Sequence, residues 1–271
     1  MIKDLTIGQY FDTKSIIHRL DPRVKILLLI SVLVLIFCAG NLYSLGLITV
    51  LLFVLLLLTK VSLGVYLKNL KIIIPILLIT MLLNVFYVND GKVLLEFWKI
   101  TITTGGVIRS VFMGLRVVLL IISSSVLTYT TTPNDLTDAI ERLLLPLKWI
   151  KLGGAVHAMS MMMTIALRFI PTLVEETEKI MNAQKARGAD FETGKLTQRI
   201  KAIIPILIPL LISSVRRAYD LAEAMESRCY NGGIGKTRMK VLKISFRDVV
   251  AVIMVAISFA AVILFNVYLK V

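Results

Sequence analysis

The chain has 271 residues, of which 57% are hydrophobic and 18% are charged, and its mean hydropathy is +0.85. Soluble domains are at most about half apolar, so this composition excludes an ordinary soluble protein and a disordered chain and indicates a membrane protein. Lys and Arg number 31 against 17 Asp and Glu, for a net charge of +14. Because cytoplasmic loops of membrane proteins collect Lys and Arg, we attribute this excess to topology and not to nucleic-acid binding.

Five apolar stretches have the length of a membrane span, which needs about 20 residues as a helix. They are residues 24–40, 42–59, 70–88, 106–129 and 249–269. The sequence therefore predicts an all-α membrane protein with about five transmembrane helices. The first ten residues lack a basic and then apolar run before a small-residue cleavage site, so we expect no cleaved signal peptide.

Loop charges predict the orientation of these spans. The connection after the second span carries Lys60, Lys68 and Lys71 and no acid, whereas the connection around Asn41 is uncharged. The segment before the first span holds four basic and three acidic residues. Since Lys and Arg collect on the cytoplasmic side, we expect a cytoplasmic N-terminus.

The central region, residues 132–247, differs from the spans in composition. It holds 18 basic and 11 acidic residues, and apolar runs at 155–174 and 202–215 alternate with charge clusters. The sequence leaves open whether these runs cross the membrane. We favour about three amphipathic helices, partly sunk in the inner leaflet and projecting into the cytoplasm. The chain thus divides into residues 1–131, the N-terminal segment with four spans, then 132–247, and then 248–271, the last span.

Two helices in this region are predicted to end in arginine. We expect one from Pro171 to about Arg187 and the other from Pro209 to about Arg228, with Gly188 stopping the first. Counting back from each arginine by three or four residues gives a mainly apolar stripe, formed by Gln184, Ile180, Thr177 and Leu173 and by Met225, Leu221 and Ala218. Such a stripe suits a helix that lies in a groove on a partner, where the guanidinium pairs with a carboxylate or free carbonyls. A surface arginine favoured only by the helix dipole is the alternative.

Three motifs resemble one family. Ala186-Arg187-Gly188 and Ser227-Arg228-Cys229 resemble the paired X-Arg-X motifs of the transmembrane T component of energy-coupling factor (ECF) transporters. The segment Gly8-Gln9-Tyr10-Phe11, followed by residues 15–23 with Asp21-Pro22-Arg23, resembles the segment that precedes the first span of that family. Cys229 departs from the more usual glycine. Asp21-Pro22-Arg23 could brace the central region or only mark the start of a membrane helix.

The resemblance implies an energy-transducing, non-catalytic scaffold in an ATP-driven uptake transporter of the prokaryotic cell membrane. Arg187 and Arg228 would each dock into one of two ATP-binding-cassette ATPase subunits, so that 132–247 is a coupling region. A separate, exchangeable membrane-embedded S subunit would bind the substrate. The resemblance implies no cofactor and no metal in this chain. It favours the general-purpose vitamin type over the dedicated cobalt or nickel type.

Two further groups of residues have two interpretations each. Met159, Met161, Met162 and Met163 suit an adaptable surface for different S subunits, or ordinary helix packing. Arg109 and Arg116 share a face of the fourth span, where they could line a polar path. We favour snorkelling for Arg109 and pairing with another helix for Arg116.

Other functional classes have weak support in the sequence. Residues 232–237 imitate the end of a phosphate-binding loop, but Tyr230 stands where that loop needs glycine, so ATP is expected on partners. The two cysteines, Cys38 and Cys229, are too far apart to form a zinc or redox motif. His157 with Glu175 and Glu176 is the best candidate for a metalloprotease-like site, without the required spacing. A secondary transporter would need a midplane charge system or two similar halves.

Overall fold

The structure, a computed structural model, describes residues 10–87, 92–97, 100–146, 153–189, 196–231 and 242–268. Within these residues the chain forms eight helices and one antiparallel β-hairpin. The elements are α1 (Pro22–Cys38), α2 (Leu42–Thr59), α3 (Leu63–Tyr87), β1 (Val93–Phe97), β2 (Ile100–Thr103), α4 (Thr104–Thr130), α5 (Pro133–Leu143), α6 (Gly153–Ala186), α7 (Leu196–Ser227) and α8 (Phe246–Tyr268).

The chain divides into two compact units. One, here the core unit, combines Gly8–Thr132 with Leu242–Val271, and its described part contains α1 to α4, the hairpin and α8. The other, here the arm unit, covers Pro133–Val241 together with Met1–Ile7, and its described part contains α5, α6 and α7. The core unit therefore joins segments from both ends of the sequence.

The core unit packs around α4, which contacts α1, α2 and α3, while α8 contacts α1 and α2. The buried side chains at the centre are aliphatic. They include Leu35, Ile36, Leu45, Ile48, Leu119 and Val262. Burial of such side chains excludes lipid from the centre of the unit and fixes the relative positions of α1, α2, α4 and α8, which supply them.

The start of α1 shows why a helix begins where the sequence predicts it. Asp21 is the N-cap and its carboxylate accepts a hydrogen bond from the Arg23 backbone N–H, while Pro22 occupies the first turn. A side-chain oxygen satisfies a free N–H at the helix start, and proline is tolerated there because its missing N–H would have no partner. The motif Asp21-Pro22-Arg23 thus marks the start of a membrane helix, one of its two predicted roles.

The predicted fold class is confirmed. In the described part of the chain, six helices are long and apolar enough to cross a membrane: α2, α3, α4, α6, α7 from Lys201 onward, and α8. The first predicted span corresponds to α1, whose 17 residues extend about 26 Å. The chain is a multi-pass membrane protein. The β-hairpin was not predicted, because its ten or so residues follow a span and contain both apolar and charged side chains.

The arm unit corrects the predicted starts of the two arginine-tipped helices. Helix α6 begins at Gly153, not at Pro171, and α7 begins at Leu196, not at Pro209; both prolines lie inside a helix. Each apolar run and the charged sequence after it form one helix of 34 and 32 residues, about 50 Å long. A proline inside such a helix removes one backbone hydrogen bond without ending it.

Candidate functional site

Helix α6 ends in a complete hydrogen-bonded cap at the first arginine motif. The N–H of Gly188 donates to the carbonyl of Lys185 at 2.9 Å, and the N–H of Ala189 donates to the carbonyl of Gln184 at 3.0 Å. Gly188 has φ of +87°, a left-handed conformation that glycine adopts without a steric penalty. This pair of bonds is a Schellman motif, and Arg187 is the last residue before the left-handed one.

Helix α7 ends in the same way. The N–H of Cys229 donates to the carbonyl of Glu226 at 2.8 Å, and the N–H of Tyr230 donates to the carbonyl of Met225 at 3.0 Å. Cys229 has φ of +52°, so it adopts the left-handed conformation at a cost of about 1 kcal/mol that glycine would not incur. The departure from glycine therefore leaves the helix end intact, and Arg228 occupies the same position as Arg187.

The two arginine side chains are exposed at these ends, here called the two tips (residues 186–188 and 227–229). Among the residues that the structure describes, neither guanidinium makes an ion pair or a hydrogen bond. Each tip thus presents five N–H donors on a backbone that its own cap holds in place. This arrangement leaves both guanidinium groups available to a partner with carboxylate or carbonyl oxygens.

The arm helices α6 and α7 run in roughly opposite directions. Glu176 of α6 accepts hydrogen bonds from Arg217 Nη2 at 2.7 Å and from the Ser213 hydroxyl, both on α7. Tyr230, which follows the end of α7, lies beside His157 near the beginning of α6. The Tyr230 hydroxyl is 3.4 Å from His157 Nε2. The two tips therefore lie at opposite ends of the helix pair.

The ion pair between Glu176 and Arg217 lies midway between the tips. Arg187 is 11 residues beyond Glu176 on α6, and Arg228 is 11 residues beyond Arg217 on α7. At 1.5 Å per residue, each tip lies about 16 Å along its helix from this contact. We call this contact the pivot. Two arms of equal length extend from it in opposite directions.

A second polar cluster joins α5, α6 and the tip of α7. The buried carboxylate of Glu141 on α5 accepts a hydrogen bond from the Ser160 hydroxyl and lies 3.2 Å from His157 Nδ1. His157 in turn contacts Tyr230, which forms the cap next to Arg228. The orientation of the second tip thus depends on α5 and on the beginning of α6.

In the core unit, Asp21-Pro22-Arg23 belongs to a buried network. Arg23 donates from Nε and Nη2 to the two carboxylate oxygens of Asp21, at 3.1 and 2.9 Å, and Nη2 also donates to the carbonyl of Leu242 at 3.1 Å. The Asp21 N–H donates to Asp248 Oδ1 at 2.8 Å, and Asp248 caps α8 by accepting from the Ser245 N–H. The start of α1 is therefore tied to the start of α8.

Lys25 connects the same network to the end of α4. Its buried Nζ donates to the carbonyl of Thr130 at 2.8 Å and lies 3.3 Å from the Thr131 hydroxyl. Thr132 and Leu242 are the residues at which the chain leaves and re-enters the core unit. Within the core unit, the network thus holds the residues next to these two positions, Thr130, Thr131 and Leu242. The sequence indicates the motif and an interfacial Lys25, but not the contacts of Lys25 with Thr130 and of Asp248 with Asp21, which join residues more than 100 positions apart.

The segment before α1 packs on the same end of the core unit. The Phe11 ring contacts Tyr129 edge to face, and Tyr129 contacts Tyr66 in the same manner, with centroids 5.5 and 5.1 Å apart. His18 hydrogen-bonds the Ser15 hydroxyl at 2.7 Å. Burial lowers the pKa of His18 and so favours the neutral imidazole. Gly8 and Gln9 of the predicted motif lie outside the described residues.

The other predicted groups have distinct placements. Met159, Met162 and Met163 are more than half exposed, and Met161 is half-buried, so most of this cluster does not pack inside the chain. Arg116 donates from Nη2 to the carbonyl of Ala39 at the end of α1, at 2.5 Å, in agreement with helix pairing. Arg109 is exposed.

The metalloprotease-like candidate is not assembled. His157 and Glu176 lie on one helix, 19 residues or about 28 Å apart, and each is occupied by the different partners described above. No group of three or more possible metal-ligating side chains occurs in the described ranges. Residues 232–237, the candidate phosphate-binding segment, lie outside those ranges.

Comparison with known proteins identifies the family. The family model described as CbiQ, cobalt transport protein, matches residues 13–241. The chain is 51% identical over 252 residues to the energy-coupling factor transporter transmembrane protein EcfT of Clostridium kluyveri, with 93% of both chains covered. It is 42% identical over 265 residues to the EcfT of Bacillus subtilis, covering 98% of this chain and 99% of the relative. The chain belongs to this family of ECF transporter transmembrane proteins.

These matches confirm the family that the resemblance predicts. It also agrees with the predicted role of an energy-coupling transmembrane subunit, and neither a protease nor a secondary transporter is favoured by any of these relatives. The matched region of the family model, residues 13–241, includes both tips and the pivot.

Proposed function

We propose that the chain converts ATP-driven motion of two ATPase subunits into movement of a substrate-binding membrane subunit, and that Arg187 and Arg228 are its two contacts with the ATPases. The observation that carries the proposal is the matched pair of helix ends. Two tips with the same cap, the same exposed arginine and no partner among the described residues suit two copies of one docking groove. Each ATPase subunit would receive one tip.

The pivot gives this arrangement a mechanical consequence. Since the tips lie about 16 Å from the Glu176–Arg217 contact in opposite directions, a displacement of both tips rotates α6 relative to α7 about that contact. Closing of an ATPase pair would then change the angle of the arms. Residues 132–247 act as the coupling region in this proposal, and the chain itself hydrolyses no ATP.

The exposed apolar faces of the arms supply a surface for the substrate-binding subunit. Ile203, Leu207 and Leu211 lie four residues apart on α7 and are each 45–65% exposed, and the methionine cluster is exposed on α6. Flexible, polarizable methionine side chains adapt to different partners. This favours an exchangeable S subunit, and with the N-terminal motif it favours the general-purpose vitamin type over the cobalt or nickel type. The complex would lie in the prokaryotic cell membrane with the N-terminus cytoplasmic.

The experiment removes both arginines in the assembled transporter. The double variant Arg187→Ala/Arg228→Ala is expected to lose co-purification of the ATPase subunits and to abolish uptake, because truncation of a hot-spot residue, a class in which arginine is enriched, costs at least about 2 kcal/mol. The amount of the chain in the membrane and its thermal unfolding should not change, since both side chains are exposed.

The matched control is Lys179→Ala/Arg216→Ala. It removes one exposed cation from each arm helix, away from the tips, and neither residue makes a side-chain bond to the described residues. Assembly and uptake should remain within about twofold of the wild type. Unchanged assembly in the tip variant, or an equal loss in the control, would reject the two tips as the contacts.

A further inference from the structure

A cavity in the core unit is lined by four cations from three separate segments. Lys14 and Arg19 come from the segment before α1, Lys60 from the end of α2, and Arg247 from the first turn of α8. The cavity has a volume of about 320 Å³, which is within the range of about 300–1,000 Å³ typical of small-molecule sites. Among the residues that the structure describes, no acidic side chain lines it.

Two of the three acids near these cations in the sequence are already engaged, and the third, Asp12, is exposed and does not line the cavity. Asp248, next to Arg247, accepts from two backbone N–H groups, and Asp21 is paired with Arg23. The four cations themselves make no ion pair with the described residues. Like charges that converge without an internal counter-ion repel one another, so the cavity favours an anion.

The backbone at two of these cations is in an unusual conformation. Lys14 has φ of +48° and Lys60 has φ of +57°, and within the described residues only Cys229 shares this property among non-glycine residues. Left-handed conformations are uncommon for residues with a Cβ. At Lys60 this conformation is the C-cap of α2, with the backbone N–H bonded to the carbonyl of Leu57. The two left-handed residues lie on two of the segments that bring the charges together.

The position of the cavity relative to the ends of the membrane helices indicates which kind of anion it binds. Helix α2 has 18 residues and extends about 27 Å, close to the 30 Å thickness of the hydrocarbon core, so Lys60 after its last residue lies at headgroup level. The cavity is also lined by Ile16 and Leu57, which are both more than half exposed. A cationic cavity with an exposed apolar wall matches a phosphate group that carries acyl chains.

We propose that this cavity binds the phosphate headgroup of one anionic phospholipid, with its acyl chains against the exposed apolar wall. The site is separate from the tips, the pivot and the Asp21 network. It would fix the N-terminal segment and the start of α8 to the lipid of the predicted cytoplasmic leaflet.

The test measures phospholipid binding to the full chain purified in a mild detergent, by native mass spectrometry during titration with phosphatidylglycerol or phosphatidylcholine. The wild type is expected to bind one phosphatidylglycerol saturably and to prefer it to phosphatidylcholine. Lys60→Gln/Arg247→Gln should weaken that binding about 25-fold, since each charge near an anionic headgroup contributes about fivefold. Lys60→Arg/Arg247→Lys, which keeps both charges, should remain within about threefold of the wild type.

The matched control is Lys68→Gln/Lys71→Gln, which removes two exposed cations of α3 that do not line the cavity. Its binding should equal that of the wild type. Equal weakening in both double variants, or no preference for phosphatidylglycerol, would overturn the proposal. Displacement of the lipid by inorganic phosphate at an equal concentration would overturn the lipid assignment, because it would show a site for free phosphate.

Discussion

The core unit and the arm unit differ in where their polar groups find partners. In the core unit, Asp21, Lys25 and Asp248 are buried and are satisfied by other parts of the same unit. In the arm unit, none of the 34 residues of α6 is buried and the arginines of both tips have no partner among the described residues. Glu141 of α5 is also buried and satisfied within the arm unit, so the contrast concerns the exposed tips and supports the proposal that these contact other subunits.

The largest expected effect on stability comes from a substitution in the core unit, and it tests the contrast between the two units. Asp21→Ala removes the N-cap of α1 and leaves Arg23 without its carboxylate. We expect a loss of about 3 kcal/mol in the free energy of unfolding, from a lost cap and lost charge-assisted hydrogen bonds. Thermal unfolding in detergent, followed by circular dichroism, measures it.

Asp12→Ala is the matched control for that substitution. Asp12 is an exposed acid of the same N-terminal segment, and the change should leave the unfolding temperature within about 1 °C of the wild type. A small effect of Asp21→Ala would contradict the view that the core unit depends on its internal polar network.

A smaller effect is expected at the pivot. Glu176→Ala removes both hydrogen bonds between α6 and α7 at that point, at a cost of about 1–2 kcal/mol because the pair is partly exposed. We expect the ATPases to remain bound while the amount of substrate moved per ATP hydrolysed falls several-fold, since the arms lose their fixed contact.

The neighbouring residue supplies the control for the pivot. Glu175 is exposed and makes no side-chain bond to the described residues, so Glu175→Ala should keep the coupling ratio of the wild type. If Glu176→Ala also keeps that ratio, then the Glu176–Arg217 contact does not transmit the motion.

The smallest effects are expected from substitutions at the left-handed residues of the two tips. Cys229→Gly should stabilise the end of α7 by up to about 1 kcal/mol, because glycine adopts positive φ without strain, and Gly188→Ala should destabilise the end of α6 by a similar amount. Amide hydrogen exchange of the last turn of each helix measures both. Opposite signs are expected, and equal signs would show that the two caps are not equivalent.

Much of the fold was predictable because its signals are local. Apolar length gave the four spans after α1 to within a few residues, except for the start of α3, and the arginine motifs gave the ends of α6 and α7. Their predicted starts at Pro171 and Pro209 are wrong, because a membrane-associated helix tolerates proline inside it. The left-handed cap at Cys229 could not be predicted, since cysteine has no preference for positive φ.

The polar networks required long-range information. Lys25 meets Thr130, and Asp21 meets Asp248, across 105 and 227 residues of sequence. The pivot joins Glu176 to Arg217 across 41 residues, and no spacing rule for a single helix relates the two. The two tips can therefore be found from the sequence. The Glu176–Arg217 contact between α6 and α7, and the buried network of Asp21, Lys25 and Asp248 in the core unit, required the structure.

The most direct test of the central claim places a photo-crosslinking amino acid at the tips of the assembled transporter. Benzoylphenylalanine replaces Arg187, Arg228 or, as a control on the same arm, Arg216, and irradiation is followed by identification of the crosslinked subunit. The account predicts that positions 187 and 228 both crosslink to an ATPase subunit and that position 216 does not. Failure of either tip to crosslink, in a complex that contains both ATPase subunits, would contradict it.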